Sequence, residues 1–269
     1  MTSTEPAGRP VLRGDELRDA LVIPGGFWRD VRVVAETGST NMDLLGEASR
    51  GLEEGAVLVA GSQTAGRGRM GRQWVSPPGA ALTFSVLLRP TAVPQASRGW
   101  VPLLAGVAVA LAVREETGVE ASLKWPNDVQ VNGAKLAGIL AEQAGGAIVV
   151  GIGLNVSASR DELPVASATS LALEGARRVA AGPLLVSVLG ELRRWYLAWA
   201  GKLGDAAGSG LHAEYQRLCA TLGREVRVTL PGDRTVAGVA SEVDRTGRLV
   251  VRSAGGRVAV SAGDVIHVR

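Results

Sequence analysis

The dipeptide Asn132-Gly133 sits between two apolar-rich runs in "LKWPNDVQVNGAKLAGILAEQ", and Asn-Gly so flanked is the strongest short-range signal for a β-hairpin. The two runs are therefore expected to be adjacent antiparallel strands. "AIVVGIGLNV" follows at once and reads as a further strand completing a central sheet. Just upstream, "WVPLLAGVAVALAVREETG" has the length and composition of a buried helix, closed by Gly118. A sheet packed on helices makes the expected class α+β.

Other segments extend this frame. "VRVVAETGSTNMDLLGEASRG" alternates apolar residues through Val34, then presents Ser39, Thr40 and Asn41 as a cap for a helix ending near Gly51. "AVLVAGSQ" and "ALTFSVLLRP" read as strands on either side of a glycine/arginine loop. Helical segments are expected over 183–203 and 211–221. Trp195, Tyr196 and Trp199 on the first of them are assigned to packing. After Gly223 the chain changes to short alternating strands with turns at Pro231-Gly232 and Thr246-Gly247, the pattern of a small SH3-like β-barrel. Three units follow: a tail over 1–30 with an amphipathic turn or two at Asp15–Leu21, a main unit over 31–222, and the barrel over 223–269.

Charge and cysteine content exclude several classes. Lys and Arg number 29 and Asp and Glu 26, a net charge of +3 spread along the chain, so no general basic surface for nucleic acid is expected. Cys219 is the single cysteine, which excludes an internal disulfide and fits a reducing compartment. Neither His212 nor His267 stands at a metal-ligand spacing, so any metal is expected to arrive with a substrate. The N-terminal residues show no basic-then-apolar signal, and no run of about 18 apolar residues is free of polar interruption. A cytoplasmic location without membrane contact is the expectation.

The chemistry concentrates in "QTAGRGRMGRQW", where Arg67, Arg69 and Arg72 alternate with Gly66, Gly68 and Gly71. Each guanidinium brings a permanent charge and a planar fork of donors, and the glycines allow close approach of the backbone, a combination suited to an anion. A basic surface turn has the same composition. The run is single and without interleaved aromatics, unlike single-strand nucleic-acid segments, and it lacks the Gly-x-x-x-x-Gly-Lys-Ser/Thr of a Walker A loop.

"TGSTN", "GRGRMGRQW", "KWPNDVQVNGAKLAGIL" and "GIGLN" occur in that order, and over residues 31–269 the chain resembles the biotin protein ligases, also called biotin–acetyl-CoA-carboxylase ligases. The resemblance implies a mixed central sheet flanked by helices, like those of class II aminoacyl-tRNA synthetases and biotin synthetases, with a C-terminal SH3-like barrel. It implies an enzyme that joins biotin to ATP, with Mg2+ on the phosphates, as biotinoyl-5′-AMP with release of pyrophosphate. The biotinoyl group then passes to one lysine of the biotin carboxyl-carrier domain of an acyl-CoA carboxylase. Residues 1–30 are too few for the winged helix-turn-helix of family members that are repressors, so a ligase without a DNA-binding module is expected, as monomer or homodimer.

By match to the family motifs, Arg67, Gly68 and Arg69 cover the biotin carboxylate and the α-phosphate, and Arg72 assists with the phosphates. Lys135 bridges carboxylate and α-phosphate, making Lys135, Arg67 and Arg69 the expected catalytic cations. Ser39, Thr40 and Asn41, with Gln63, bind the ureido ring. Gly138, Leu140 and Gly151 wall the biotin pocket, the glycines by leaving room. Asn155 lies near the nucleotide. Trp74 covers the adenine or anchors the end of the loop. Asn127 and Asp128 orient Lys135 or meet magnesium, or form only a turn, and Trp125 packs. The nearest enzymatic rival is a lipoate–protein ligase; a nucleic-acid-binding module is the rival of another class.

Overall fold

In a computed structural model, residues 9, 12–176, 179–230, 234–261 and 263–268 are described. The chain begins with a helix α1 (Gly14–Leu21), a strand β1 (Asp30–Thr37), a helix α2 (Thr40–Ser49), and strands β2 (Ala56–Gln63) and β3 (Ala81–Leu88). After the long helix α3 (Trp100–Thr117) come β4 (Ser122–Lys124), β5 (Asp128–Val131), β6 (Ala134–Ala144) and β7 (Ala147–Asn155). These strands form one mixed sheet in the order β1-β2-β3-β7-β6-β5-β4. Only β1 and β2 run parallel, and α2 is the crossover that a parallel pair requires.

Alternation along the strands sends side chains to two faces. Val57, Val59, Phe84, Val86, Ile148 and Val150 join the main core with α3, whereas Leu58, Leu87 and Val149 pack with Leu44 and Ala48 of α2. Helix α3 is apolar on every side and is accordingly enclosed, between the sheet and the helices α4 (Ala181–Gly201) and α5 (Leu211–Leu218). Within Gln95–Thr117 an 18-residue window of mean hydropathy 1.6 is long and apolar enough to cross a membrane, yet 67% of that window is buried in the protein. Gly118 ends α3 at φ 71°, donating its N–H to Arg114 O.

Two sequence expectations change here. The region 122–144 holds three strands rather than two, because Trp125–Asn127 makes a turn of its own between β4 and β5. Helix α5 stops at Leu218, where Cys219 takes an extended conformation and bridges Leu123 of β4. The Asn132-Gly133 turn has both residues at positive φ, 51° and 84°, as a two-residue hairpin demands.

The C-terminal strands β8 (Glu225–Thr229), β9 (Thr235–Val243), β10 (Leu249–Ser253), β11 (Gly256–Val260) and β12 (Asp264–His267) form the SH3-like unit, ordered β11-β10-β9-β8-β12. The Pro231-Gly232 turn lies outside the described residues. The barrel is fastened to the body through its 244–247 turn. Trp100 Nε1 donates to Arg245 O at 2.9 Å, Trp125 Nε1 to Gly247 O at 3.1 Å, and His212 Nε2 to Val243 O at 2.7 Å. A methyl group at Gly99 would lie 2.7 Å from Thr246 O, so only glycine admits the turn this closely.

Candidate active site

Helix α2 covers only part of its face of the sheet. Beyond it, Thr83, Gly138, Leu140, Gly151 and Gly153 floor a cleft of ≈ 760 Å³ measured out to its mouth, within the size range of small-molecule sites. Strict alternation backward from Leu140 and Gly138 would turn Leu136 toward this cleft and Lys135 into the core. A bulge on β6, opposite Val129 and Gln130, reverses this. Leu136 and Ala137 both enter the core, and Lys135 lines the cleft. Its Nζ lies 3.2 Å from where a β-carbon at Gly138 would stand. The bulged main chain pairs instead with 167–169: Lys135 N donates to Ser167 O at 2.7 Å, and Thr169 N to Lys135 O at 2.8 Å.

A chain of hydrogen bonds crosses the inner end. Gln63 Oε1 accepts from Thr40 N at 2.8 Å and from Thr40 Oγ1 at 3.0 Å, and Thr40 Oγ1 lies 2.7 Å from Ser85 Oγ. Ser85 Oγ donates to Asn41 Oδ1 at 2.6 Å; Asn41 Nδ2 donates to Leu140 O at 3.1 Å and to Glu142 Oε2 at 2.9 Å. Asn41 thus spends both amide hydrogens on the protein. The Ser39 hydroxyl and the Gln63 amide nitrogen have no partner among the described residues and line the cleft. Ser39 occupies the N-cap position of α2 without a side-chain capping bond, contrary to the capping expectation. Gly151 leaves room, though for Asn41: a β-carbon there would fall 2.2 Å from Asn41 Oδ1.

The glycine/arginine segment is a tight hairpin turned over the cleft. Trp74 N donates to Gly66 O at 2.9 Å, Gly68 N to Arg72 O at 2.7 Å, and Met70 at the tip has φ 56°. Four cations line the space beneath. Arg67 Nη2 stands 3.3 Å from Glu142 Oε1, Lys135 Nζ 2.6 Å from Asp128 Oδ1, and Arg72 pairs with Asp264 of the barrel. The Lys135–Asp128 pair lacks the alignment of a directed hydrogen bond and is a contact of charges. Arg69 differs. Its Nη1 donates to the neutral Asn127 Oδ1 at 2.9 Å, Asn127 Nδ2 in turn donates to Ile139 O, and among the described residues no carboxylate lies within ion-pair distance of Arg69. Burial pushes its pKa below the ordinary arginine value, against the opposing fields of Asp264 and Asp128. It remains a cation, poorly solvated and without an anion.

Trp74 lies on the floor. A β-carbon at Gly153 would be 2.2 Å from its Cε2, one at Gly138 3.2 Å from its Cζ3, and its buried Nε1 has no partner among the described residues. Thus all the expected site residues line one cleft except Asn155, which is buried and donates from Nδ2 to Thr169 O at 2.9 Å. Ser85, Glu142 and Asp264 were not anticipated. Ser85 and Glu142 carried a signal, a polar residue in alternation with the floor positions of β3 and β6. Asp264 carried none.

Comparison with known proteins gives one family. Residues 33–158 match the Biotin/lipoate A/B protein ligase family and 221–268 the Biotin protein ligase C terminal domain. The chain is 43% identical to a biotin--[acetyl-CoA-carboxylase] ligase of Mycobacterium tuberculosis over 97% of both chains. It is 31% identical to the Paracoccus denitrificans enzyme of that name, over 87% of this chain and 98% of the other. Among solved structures, the biotin protein ligase of Aquifex aeolicus in complex with biotin and ATP superposes with a TM-score of 0.76 at 28% identity, covering 90% of this chain and all of that one.

Proposed function

The chain belongs to the biotin protein ligase family, and on that premise we propose how its cleft performs the reaction. The protein is an ATP-dependent biotin protein ligase: it activates biotin as biotinoyl-5′-AMP and passes the biotinoyl group to a lysine of its protein acceptor. The observation that carries the assignment of the site is Arg69, a half-buried guanidinium with a neutral partner, aimed into a cleft shared with three further cations.

The first step joins two anions. A carboxylate oxygen of biotin attacks the α-phosphorus of ATP, the new P–O bond forms, and pyrophosphate leaves with the electrons of the broken one. Arg69 and Arg67 gather the carboxylate and the α-phosphate, offsetting the repulsion that otherwise keeps them apart. Lys135 exchanges Asp128 for the oxygen that bridges carbon and phosphorus. A compact ammonium on a flexible stem can follow the charge as it moves. Arg72, at the mouth, meets the leaving phosphates. The hairpin over the cleft keeps water from the mixed anhydride.

At the inner end, the ureido ring meets the two polar groups left unengaged, the Ser39 hydroxyl and the Gln63 amide. Thr40 and Asn41 hold the frame around them. Among the described residues no three His, Cys, Asp or Glu side chains cluster to hold a metal. The donor set fits a magnesium ion carried in on ATP: the Asp128 carboxylate would hold it from the protein side, and the ion would withdraw charge from the phosphates.

The acceptor we assign is the biotin carboxyl-carrier domain of an acyl-CoA carboxylase, with the activity of the Mycobacterium tuberculosis relative as its support. A cytoplasmic setting, where such carboxylases and ATP meet, accords with this. We further assign catalysis to residues 31–222 and the covering of the nucleotide side to residues 223–269. Pyrophosphate release measured with ATP and either biotin or lipoate tests the reading. Turnover with biotin alone is expected; turnover with lipoate alone, or with neither, overturns it.

A further inference from the structure

The site described so far leaves one charged group without a task. Glu142 lies on β6 at the inner edge of the cleft, beyond the floor residues Gly138 and Leu140, and its side chain is only 21% exposed. Its two oxygens serve different elements. Oε2 accepts from Asn41 Nδ2 at 2.9 Å, at the start of α2, while Oε1 faces Arg67 Nη2 at 3.3 Å, on the hairpin above. Arg67 otherwise touches Met42 Sδ, a weak acceptor. Glu142 is therefore the anion that ties this arm of the hairpin to the sheet. Arg72 has a separate tie at the mouth, to Asp264.

We propose that Glu142 is a positioning residue with two separable effects: it tethers Arg67, so that the hairpin stays over the adenylate, and it orients Asn41, so that the ureido end keeps its shape. The proposal rests on the adenylate-forming reading above. The tether is electrostatic and depends on the carboxylate's charge. The hold on Asn41 needs only an acceptor oxygen, which a glutamine supplies. The substitutions Glu142→Gln and Glu142→Ala therefore separate the two.

The experiment loads the protein with labelled biotinoyl-adenylate in the absence of acceptor. It then follows escape of the label into excess unlabelled biotin and ATP, with KM for biotin measured in parallel by pyrophosphate release. For Glu142→Gln, escape is expected to rise about fivefold, the scale of one partly exposed ion pair, while KM stays within about twofold of the unsubstituted protein. For Glu142→Ala, both rise. Escape from the unsubstituted protein is expected to quicken with salt, and less so from Glu142→Gln, since salt screens the tether. Unchanged escape in Glu142→Gln overturns the inference, as does a parallel change of escape and KM in both variants. If the unsubstituted protein forms no adenylate, the functional reading fails instead.

Discussion

Lys135 and Asp128 face each other across the bulged hairpin, with Nζ 2.6 Å from Oδ1. The lysine side chain is 34% exposed and lines the cleft. Lys135→Ala is therefore expected to lower single-turnover adenylate formation by about a thousandfold, with a melting temperature near that of the unsubstituted protein. Lys135→Arg should not restore the rate, because a planar fork cannot follow the bridging oxygen as a point charge does. Pyrophosphate release checks both, and normal turnover in Lys135→Ala would remove the lysine from the mechanism.

Gly151 offers a steric test of the inner end. An added methyl would stand 2.2 Å from Asn41 Oδ1, so Asn41 must move, breaking its bonds to Ser85 and Glu142. Gly151→Ala is expected to cost about 1–3 kcal/mol of stability, as overpacking does, and to raise KM for biotin by about tenfold or more. KM for ATP should change much less. Equal changes in the two constants would show that the network does not belong to the ureido end.

The barrel's attachment can be weighed in the same way. Trp125 is 1% exposed and its indole N–H is bonded to Gly247 O. Trp125→Phe leaves that carbonyl without its donor and a void beside it, and should lower unfolding free energy by about 2–3 kcal/mol. A lower urea midpoint at unchanged slope would report this loss; an unchanged midpoint would mean that the bond contributes nothing net.

A pH effect is expected where β1 meets the end of α2. Arg32 donates to both oxygens of Glu47 at 3.0 and 2.7 Å, tying β1 to the end of α2, and this bonding holds the Glu47 carboxyl below its ordinary pKa. Because the folded value lies below the unfolded one, the folded state binds the proton less readily. The pair's stabilisation, about 1 kcal/mol, is present above about pH 4.3. It is lost as pH falls through the lower folded value. Melting curves of Glu47→Gln and the unsubstituted protein should differ at pH 7 and converge near pH 3.

Much of this was legible in the sequence for local reasons. Asn132-Gly133 encodes a turn by itself, α3 is set by its length and unbroken apolarity, and the four motifs name residues that meet in one cleft. What the sequence hid depends on register or on distance. The bulge at Leu136 breaks the alternation by which faces are assigned, so the orientation of Lys135 could be had only from the motif. Gly151 reads as space for a ligand until the pairing of β6 with β7 brings Asn41 beneath it. Asn155 closes a motif but is consumed by Thr169, a bond between segments with no shared pattern. Asp264 reaches Arg72 only because Trp100, Trp125 and His212 seat the barrel beside the cleft.

The extra residue on β6 also limits how this gene can change. Adding a single codon to β5 opposite Leu136 would give that leucine a partner and restore even pairing, which rotates the ammonium inward and an isobutyl group outward. Point substitutions around the turn leave this parity untouched. Odd-numbered insertions or deletions do not, so descendants of this hairpin are expected to vary in composition far more freely than in length.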